Sequence, residues 1–66
     1  MKLTSGERIR EARKWKNFNQ VKLAEMLDIH EATVVRWETN KSQPRASDIQ
    51  KLCEVLGVTE SELSLV

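Results

Sequence analysis

Cysteine, proline, glycine and aromatic residues are all scarce in this 66-residue sequence, which has one Cys, one Pro, two Gly and no Tyr. A single cysteine cannot form an internal disulfide, and with only one histidine the chain lacks the four ligands that a structural zinc site requires. Apolar runs do not exceed three residues, so neither a transmembrane helix nor a signal peptide is predicted. We therefore expect a cytoplasmic protein without metal, disulfide or membrane contact.

The short length limits the kinds of function. Domains usually comprise about 50–200 residues, so residues 1–66 are predicted to form one domain. A domain of this size buries only about 60% of the surface that its unfolded chain exposes, which leaves a thin core. A cofactor cleft or a lidded catalytic site would consume that core, and no nucleophile with a positioned base stands out. We expect no cofactor and no enzymatic activity.

The net charge of +1 is small, which by itself is weak support for a nucleic-acid partner. Its distribution is uneven, however. Residues 1–22 contain seven Lys or Arg against two Glu, a surplus of five positive charges, whereas residues 23–66 contain four against eight Asp or Glu, a deficit of four. Such asymmetry indicates one side of the molecule that faces a polyanion.

Helix signals recur along the chain, whereas the alternation typical of strands is almost absent. Thr4–Glu7 and Thr59–Glu62 have the spacing of a capping box, and Asn19 is suited to cap a helix. Asn17 and Gly57 tolerate the left-handed conformation that ends one. These signals predict five short helices, over about residues 6–16, 20–27, 31–39, 46–56 and 60–65.

Residues 20–39 have the spacing of a helix-turn-helix, in which a three-residue turn joins two short helices. In that geometry Ala24 must be small, because the second helix crosses over it. Ile29 must be apolar, because it fills the angle between the helices. Val34 and Trp37 must be apolar to anchor the second helix while its other face stays free. All four conditions are met in one register, and we expect Trp37 in the core rather than stacked on a base.

The same segment carries the motifs of a known family. Gln20, Leu23 and Ala24 match a Gln-x-x-Leu-Ala run, and Arg36–Glu38 matches an Arg-Trp-Glu ending. On these motifs, and over residues 6–63, the sequence resembles the phage-repressor/Cro-type helix-turn-helix family, also called the Xre family. The resemblance implies an all-α fold like the lambda repressor domain, a compact bundle of five short helices. It also implies sequence-specific binding of double-stranded DNA through the major groove.

Four places in the sequence depart from the family pattern, and one of them is Trp15, which stands where the family commonly has a polar residue. Asp28 stands in the turn where the family usually has Gly, and His30 stands where Ser or Thr commonly caps the recognition helix. Thr39–Asn40 replaces an Asn-Gly pair at the end of that helix. Because Asp visits the left-handed region at some cost, we expect the turn to survive. The departures therefore concern local stability and contacts rather than the fold.

By the resemblance, the third helix is the recognition helix, with its N-terminal residues at base edges. Its outward positions, at which we expect base contacts, are Glu31, Ala32, Val35 and Arg36. Arg36 is suited to bidentate contact with guanine O6 and N7, worth about 1–3 kcal/mol of discrimination. Ala32 and Val35 offer apolar contact to thymine methyl groups. Glu31 either accepts a hydrogen bond from cytosine N4 or only complements the positive end of its own helix.

Phosphate contacts are expected from residues outside the recognition helix. Gln20 begins the second helix, where free N–H groups and the helix dipole favour an anion, and Lys22 is close to it in sequence. The resemblance implies further contacts to the DNA backbone from the loop after the recognition helix, by Asn40, Lys41 and Arg45.

The sequence allows two interpretations of the basic first helix. It is either an ordinary solvated face or approaches DNA through Arg10, Arg13 or Lys14. The resemblance also implies an ion pair between Arg13 and Glu38, which joins the first helix to the third and leaves Arg13 only partly available to phosphate.

One domain of this kind contacts only a few base pairs, which is too few for high specificity over a genome. We therefore expect a homodimeric repressor on a pseudo-palindromic operator, with half-sites about 34–36 Å apart or a multiple of that. The predicted dimerisation segment is 57–66, because it has more apolar surface than a thin core needs. Its interface residues are Val58, Leu63, Leu65 and Val66.

A protein-interaction module of the same fold, resembling an antitoxin or an adaptor, is the alternative function. The acidic second half of the chain and Trp15, which we expect to be exposed and suited to contact another chain, favour it. A hydrolase based on His30 and a nearby carboxylate lacks any positioned nucleophile or pocket. His30 is instead interpreted as a turn residue, and Cys53 as a packing residue in the fourth helix.

Overall fold

The computed structural model describes residues 3–63, which fold into helices that pack around one core. In chain order these are α1 (Ser5–Trp15), α2 (Gln20–Leu27), α3 (Glu31–Glu38), α4 (Ala46–Leu56) and α5 (Glu60–Leu63). No strand occurs within residues 3–63. The predicted all-α architecture is confirmed, and the ends of α1 to α4 lie within one residue of their predicted positions. The predicted extension of the last helix to about residue 65 lies outside the described residues.

Side chains at the helix starts explain where several helices begin. Thr4 Oγ1 accepts a hydrogen bond from Glu7 N at 3.2 Å, and Thr4 N donates to Glu7 Oε1 at 2.8 Å, which completes the predicted capping box of α1. Asn19 Oδ1 accepts from Lys22 N at 2.7 Å and caps α2. His30 precedes α3 without a side-chain capping bond, so α3 begins without that help.

Each of the first four helices is followed closely by a residue in the left-handed conformation. These residues, with their φ angles, are Asn17 (60°), Asp28 (57°), Asn40 (63°) and Gly57 (68°). Asn and Asp tolerate this region better than other residues with a side chain. Asp28 and Asn40 therefore perform the turns for which the family usually has Gly, and the turn between α2 and α3 is preserved.

The core draws on all five helices. Its buried residues are Ile9, Leu23, Ala24, Leu27, Val34, Trp37, Leu52, Leu56 and Leu63. Phe18 and Ile29, which lie between helices, are half-buried against it. Val21 is also apolar, but it is 47% exposed. The buried face of α2 consists of Leu23, Ala24 and Leu27 and does not include it.

The helices form two contact groups that share α1 and are also joined by contact between α2 and α4. The recognition helix predicted from sequence, α3, packs against α1 and α2, whereas α5 packs against α1 and α4. Contact with α1 and α2 fixes α3 from its inner side. The opposite face of α3 stays exposed and is therefore available to a partner.

Candidate nucleic-acid interface

The angle between α2 and α3 is held by the four apolar residues that the sequence pattern requires. Ala24 is 4% exposed beneath the crossing, and Ile29 N donates to Ala24 O at 3.0 Å, which closes the turn. Val34 is fully buried and Trp37 is 4% exposed, so Trp37 belongs to the core and is not available to stack on a base. The inward face of α3 is thus completely used for packing.

The outward face of α3 carries the residues predicted to contact bases. Glu31, Ala32 and Arg36 are exposed, and Val35 is half-buried. A helix that is anchored on one side and exposed on the other can enter a major groove, whose width of about 12 Å admits an α-helix. Glu31 also lies in the first turn of α3, where its charge complements the helix dipole.

A buried ion pair fixes the C-terminal end of α3. Arg13 Nε donates to Glu38 Oε2 at 2.7 Å, and Arg13 Nη2 donates to Glu38 Oε1 at 3.1 Å. The two residues are 9% and 7% exposed respectively. Arg13 Nη1 donates to Phe18 O at 2.8 Å, and Gln20 Nε2 donates to Glu38 Oε1 at 3.1 Å. This network joins α1, α2 and α3 through one carboxylate, as the family resemblance implies for Arg13 and Glu38.

Hydrogen bonds within the protein already engage Arg13 and Gln20, two of the residues predicted to contact phosphate. All three guanidinium nitrogens of Arg13 are engaged inside the protein, so the phosphate role predicted for Arg13 is not supported by the structure. The Gln20 side chain is half-buried and directed at Glu38. An anion at the start of α2 would therefore meet backbone N–H groups and the second amide hydrogen of Gln20.

The loop after α3 is tied to the beginning of α1. Asn40 Oδ1 accepts a hydrogen bond from Gly6 N at 3.1 Å, and Asn40 Nδ2 donates to Thr4 Oγ1 at 2.9 Å. A Cβ on Gly6 would lie 2.4 Å from Trp37 O, so only glycine permits this approach. The Asn40 amide is used within the protein, which weakens its predicted role as a phosphate ligand.

Sequence reasoning missed this contact, although one signal was present. Glycine is unfavourable inside a helix, and Gly6 occupies the second position of α1. Such a glycine indicates that another part of the backbone approaches closely. Nothing in the local sequence, however, names that part as the end of α3, which lies more than thirty residues further along the chain.

Three basic side chains remain exposed beside α3. Lys22 lies on α2, and Lys41 and Arg45 lie in the loop between α3 and α4. The loop is ordered by Arg36 O, which accepts hydrogen bonds from Lys41 N at 2.9 Å and from Ser42 N at 3.3 Å. Lys22 belongs to the helix that packs against α3, and Lys41 and Arg45 follow α3 along the chain. Exposed cations of this kind are suited to the backbone contacts that position a protein on DNA.

The dimer interface predicted for the C-terminal segment stays a prediction, and its described members differ in exposure. Leu63 is 1% exposed and belongs to the core, because α5 turns its apolar side against α1 and α4. Val58 is half-buried. Leu65 and Val66 lie outside the described residues. Trp15, by contrast, is 85% exposed, as expected for it.

The acidic, histidine and cysteine side chains of the described region do not form a metal-binding cluster. Within residues 3–63, no three His, Cys, Asp or Glu side chains are placed to hold a metal ion. Burial raises the pKa of the Cys53 thiol, and the charges of Glu60 and Glu62 raise it further. A raised pKa disfavours the thiolate, which is the nucleophilic form.

Comparison with known proteins agrees with this geometry. A helix-turn-helix family model matches residues 9–63. The chain belongs to the Cro/C1-type helix-turn-helix family. Among curated proteins, no sequence matches this chain. The family is one of DNA-binding transcription regulators and not a class of enzymes, and this helix-turn-helix protein is accordingly a DNA-binding transcription regulator.

Several solved structures are similar to this helix-turn-helix protein. The P22 c2 repressor in complex with synthetic operator 9T has a TM-score of 0.88 and 26% identity, with 94% of each chain covered. SinR, a master regulator for biofilm formation solved in complex with DNA, has a TM-score of 0.85 and 28% identity over 91% of this chain and 97% of SinR. The restriction-modification controller protein C.AhdI from Aeromonas hydrophila has a TM-score of 0.83 and 29% identity over 89% of each chain.

The helices of the described region are also short by the standard of membrane proteins. Within residues 3–63, none is long and apolar enough to span a bilayer.

Proposed function

We propose that this helix-turn-helix protein is a repressor that binds a pseudo-palindromic operator as a homodimer. In each copy α3 lies in the major groove and contacts base edges through Glu31, Ala32, Val35 and Arg36. Residues 1–66 act as a single DNA-binding domain, of which the described part shares one core. The similarity to the P22 c2 repressor, solved on a synthetic operator, supports the repressor role.

The observation that carries this proposal is the two-sided character of α3. Its inner side is fixed by Val34, Trp37 and the buried Arg13–Glu38 pair, while its outer side presents exposed side chains. A helix held this rigidly keeps its exposed side chains in one orientation, as sequence discrimination requires. Arg36 is the exposed cation on that face, and it is suited to guanine O6 and N7.

Positive charges beside α3 supply the contacts that are independent of sequence. We assign phosphate contacts to Lys22, Lys41 and Arg45, and to the backbone N–H groups near Gln20. Three cations in each copy give six in the dimer, so the logarithm of the binding constant is expected to fall with the logarithm of salt with a slope of about −5. This slope is modest, in line with the net charge of +1.

Selection of bound sequences from a random pool of double-stranded DNA tests the proposal. Two inverted half-sites, with centres about 34–36 Å apart or a multiple of that, are the expected result. A single unrepeated site, or no enrichment at low salt, would contradict operator binding by a dimer. Repression itself is tested by placing the selected site across a promoter and measuring transcription with and without the protein.

Two substitutions separate base contact from phosphate contact. Arg36→Ala is expected to weaken binding about 5- to 150-fold for each bound copy and to relax preference at one base pair of each half-site. Lys41→Ala is expected to weaken binding to all sequences alike and to reduce the salt slope by about 1 in each copy. Lys51 is an exposed cation on α4, so Lys51→Ala is the matched control and should leave both the affinity and the salt slope unchanged.

A protein-interaction module is the second candidate, and the exposed Trp15 favours it. This function requires no DNA affinity. Failure to bind any double-stranded DNA at any salt concentration, by a protein whose folding is verified by circular dichroism, would favour it over the repressor.

A further inference from the structure

A groove opens between α1, the end of α4 and α5, next to the most exposed large apolar side chain of the described region. Its volume is about 370 Å³. Apolar side chains make up most of its lining, and we call it the Trp15 groove after its most exposed member. Those residues are Ala12, Trp15, Leu56, Val58 and Leu63.

The Trp15 groove is separate from the proposed DNA-binding face. On α1, Gly6 and Arg13 contact the C-terminal end of α3, whereas Ala12 and Trp15 border the groove. The groove is also lined by α5, which packs on α1 and α4. A partner in this groove therefore leaves the outward face of α3 free for DNA.

We propose that the Trp15 groove binds the same groove of a second copy of this chain, with Trp15 of each copy inserted into the other. This inference rests on the proposed function, because it identifies the surface through which the operator-bound dimer forms. In a two-fold interface the same patch must be complementary to itself. A patch that has both a protruding indole and an adjoining apolar groove meets that requirement in shape.

The charges around the groove favour the same occupant. Arg8, Glu11 and Glu62 line the groove together with its apolar residues. A partner of a single charge sign would leave some of these charges opposed by like charge. A second copy, turned by a two-fold rotation, brings charges of both signs to face charges of both signs.

The size of the groove indicates a weak interface. Stable interfaces have about 20–30 residues on each side, whereas eight of residues 3–63 line this groove. A contact of this size holds two free copies together only at high concentration. On DNA, two half-sites raise the effective concentration of one copy near the other, so that the weak contact becomes cooperative binding.

Trp15→Gln tests the proposal directly, because a side chain that is 85% exposed contributes little to the fold. Met26→Gln is the matched control, since Met26 is a 47% exposed apolar residue on α2 and does not line the groove. Sedimentation velocity over a range of concentrations measures self-association. Gel shifts compare DNA with one selected half-site and DNA with two.

The wild type and Met26→Gln are expected to associate at high micromolar concentrations and to bind two half-sites cooperatively. Trp15→Gln is expected to sediment as a monomer throughout. It should bind one half-site with unchanged affinity and lose at least about tenfold in affinity for two. Equal self-association of Trp15→Gln and the wild type would overturn the proposal, as would a wild type that stays monomeric and binds half-sites independently.

A charge exchange distinguishes a second copy from any other occupant. Arg8→Glu gives a groove rim that is acidic, and the double variant Glu11→Lys/Glu62→Lys gives one that is basic. Each is expected to fail to associate with itself, and the two mixed are expected to associate. Absence of association in the mixture, with both variants folded, would overturn the self-complementary arrangement.

The proposed function and this inference can fail separately. If the wild type dimerises through Trp15 but binds no DNA, the repressor proposal is wrong and the interface stands. If DNA is bound with the Arg36 dependence described above but Trp15→Gln remains fully cooperative, the function stands and this interface is wrong.

Discussion

Removal of Arg13 is predicted to be the most damaging single substitution considered for this domain. Arg13 and Glu38 are 9% and 7% exposed, and Arg13→Met would leave the Glu38 carboxylate buried with Gln20 as its remaining hydrogen-bond donor. Removal of one partner of a buried ion pair typically costs about 3–5 kcal/mol. At about 0.05–0.15 kcal/mol per residue, a 66-residue domain has a total unfolding free energy of only about 3–10 kcal/mol.

The loss is therefore comparable with the whole stability of the protein. Urea denaturation followed by far-ultraviolet circular dichroism measures it, and Arg13→Met is expected to unfold at a much lower urea concentration than the wild type. Gln20→Ala removes one hydrogen bond to Glu38 and should cost only about 0.5–1.5 kcal/mol. The variant Arg13→Met/Glu38→Leu replaces both charges by apolar side chains and is expected to recover most of the wild-type stability.

Two results would refute this reasoning. A loss below about 1 kcal/mol for Arg13→Met would mean that the pair behaves as an exposed one. A double variant that is no more stable than Arg13→Met would mean that the cost does not arise from an unpaired buried charge. A loss of stability that depends strongly on salt concentration would also mean that the pair behaves as an exposed one, because salt screens a buried pair much less.

Three further predictions concern the start of α1 and the end of α3. Gly6→Ala places a Cβ 2.4 Å from Trp37 O and should lower the free energy of unfolding, measured by urea denaturation, by at least about 1–3 kcal/mol. An unchanged midpoint would show that α1 and α3 can move apart freely. Asn40→Gly removes two hydrogen bonds but keeps a residue suited to a φ of 63°, whereas Asn40→Ala loses both the hydrogen bonds and that suitability. The Asn40→Ala variant should therefore be less stable than Asn40→Gly by about 1–2 kcal/mol. Equal stabilities of the two variants would contradict a role for the backbone conformation. Hydrogen bonds from Thr4 lower the pKa of Glu7 from its ordinary value of 4.5. The stability that the Glu7 carboxylate gives to α1 is therefore present at pH values above 4.5 and is lost as the pH falls through the lowered pKa. Glu7→Gln should abolish that part of the acid dependence of helix content, and an identical acid titration in the variant would count against it.

Local chemistry made most of the fold predictable. Helix starts depend on a few neighbouring residues, as in the hydrogen bonds between Thr4 and Glu7 or between Asn19 and Lys22. Helix ends depend on residues that tolerate positive φ, and Asp28 and Asn40 both adopt it. These signals act within about four residues of sequence, so they can be recognised without knowledge of the tertiary structure.

The candidate site was predictable only in part. The outward positions of α3 follow from its helical period once Val34 and Trp37 are assigned to the core. The engagement of Arg13 and Asn40 does not follow, because an exposed basic or amide side chain and a buried one are identical in sequence. Leu63 and Trp15 illustrate the same limit, since both are apolar and one is buried while the other is 85% exposed.

The sequence by itself determined the helices, their turns and the register of the helix-turn-helix. Its single cysteine and single histidine also predicted that neither an internal disulfide nor a structural zinc site stabilises the fold. The tertiary structure alone decided which polar side chains are left for a partner. Gly6 N and Thr4 Oγ1 occupy the Asn40 amide from more than thirty residues away, and Glu38 occupies Arg13 from 25 residues away. Hydrogen bonds across such separations depend on how helices pack, because packing brings together groups that local sequence does not relate.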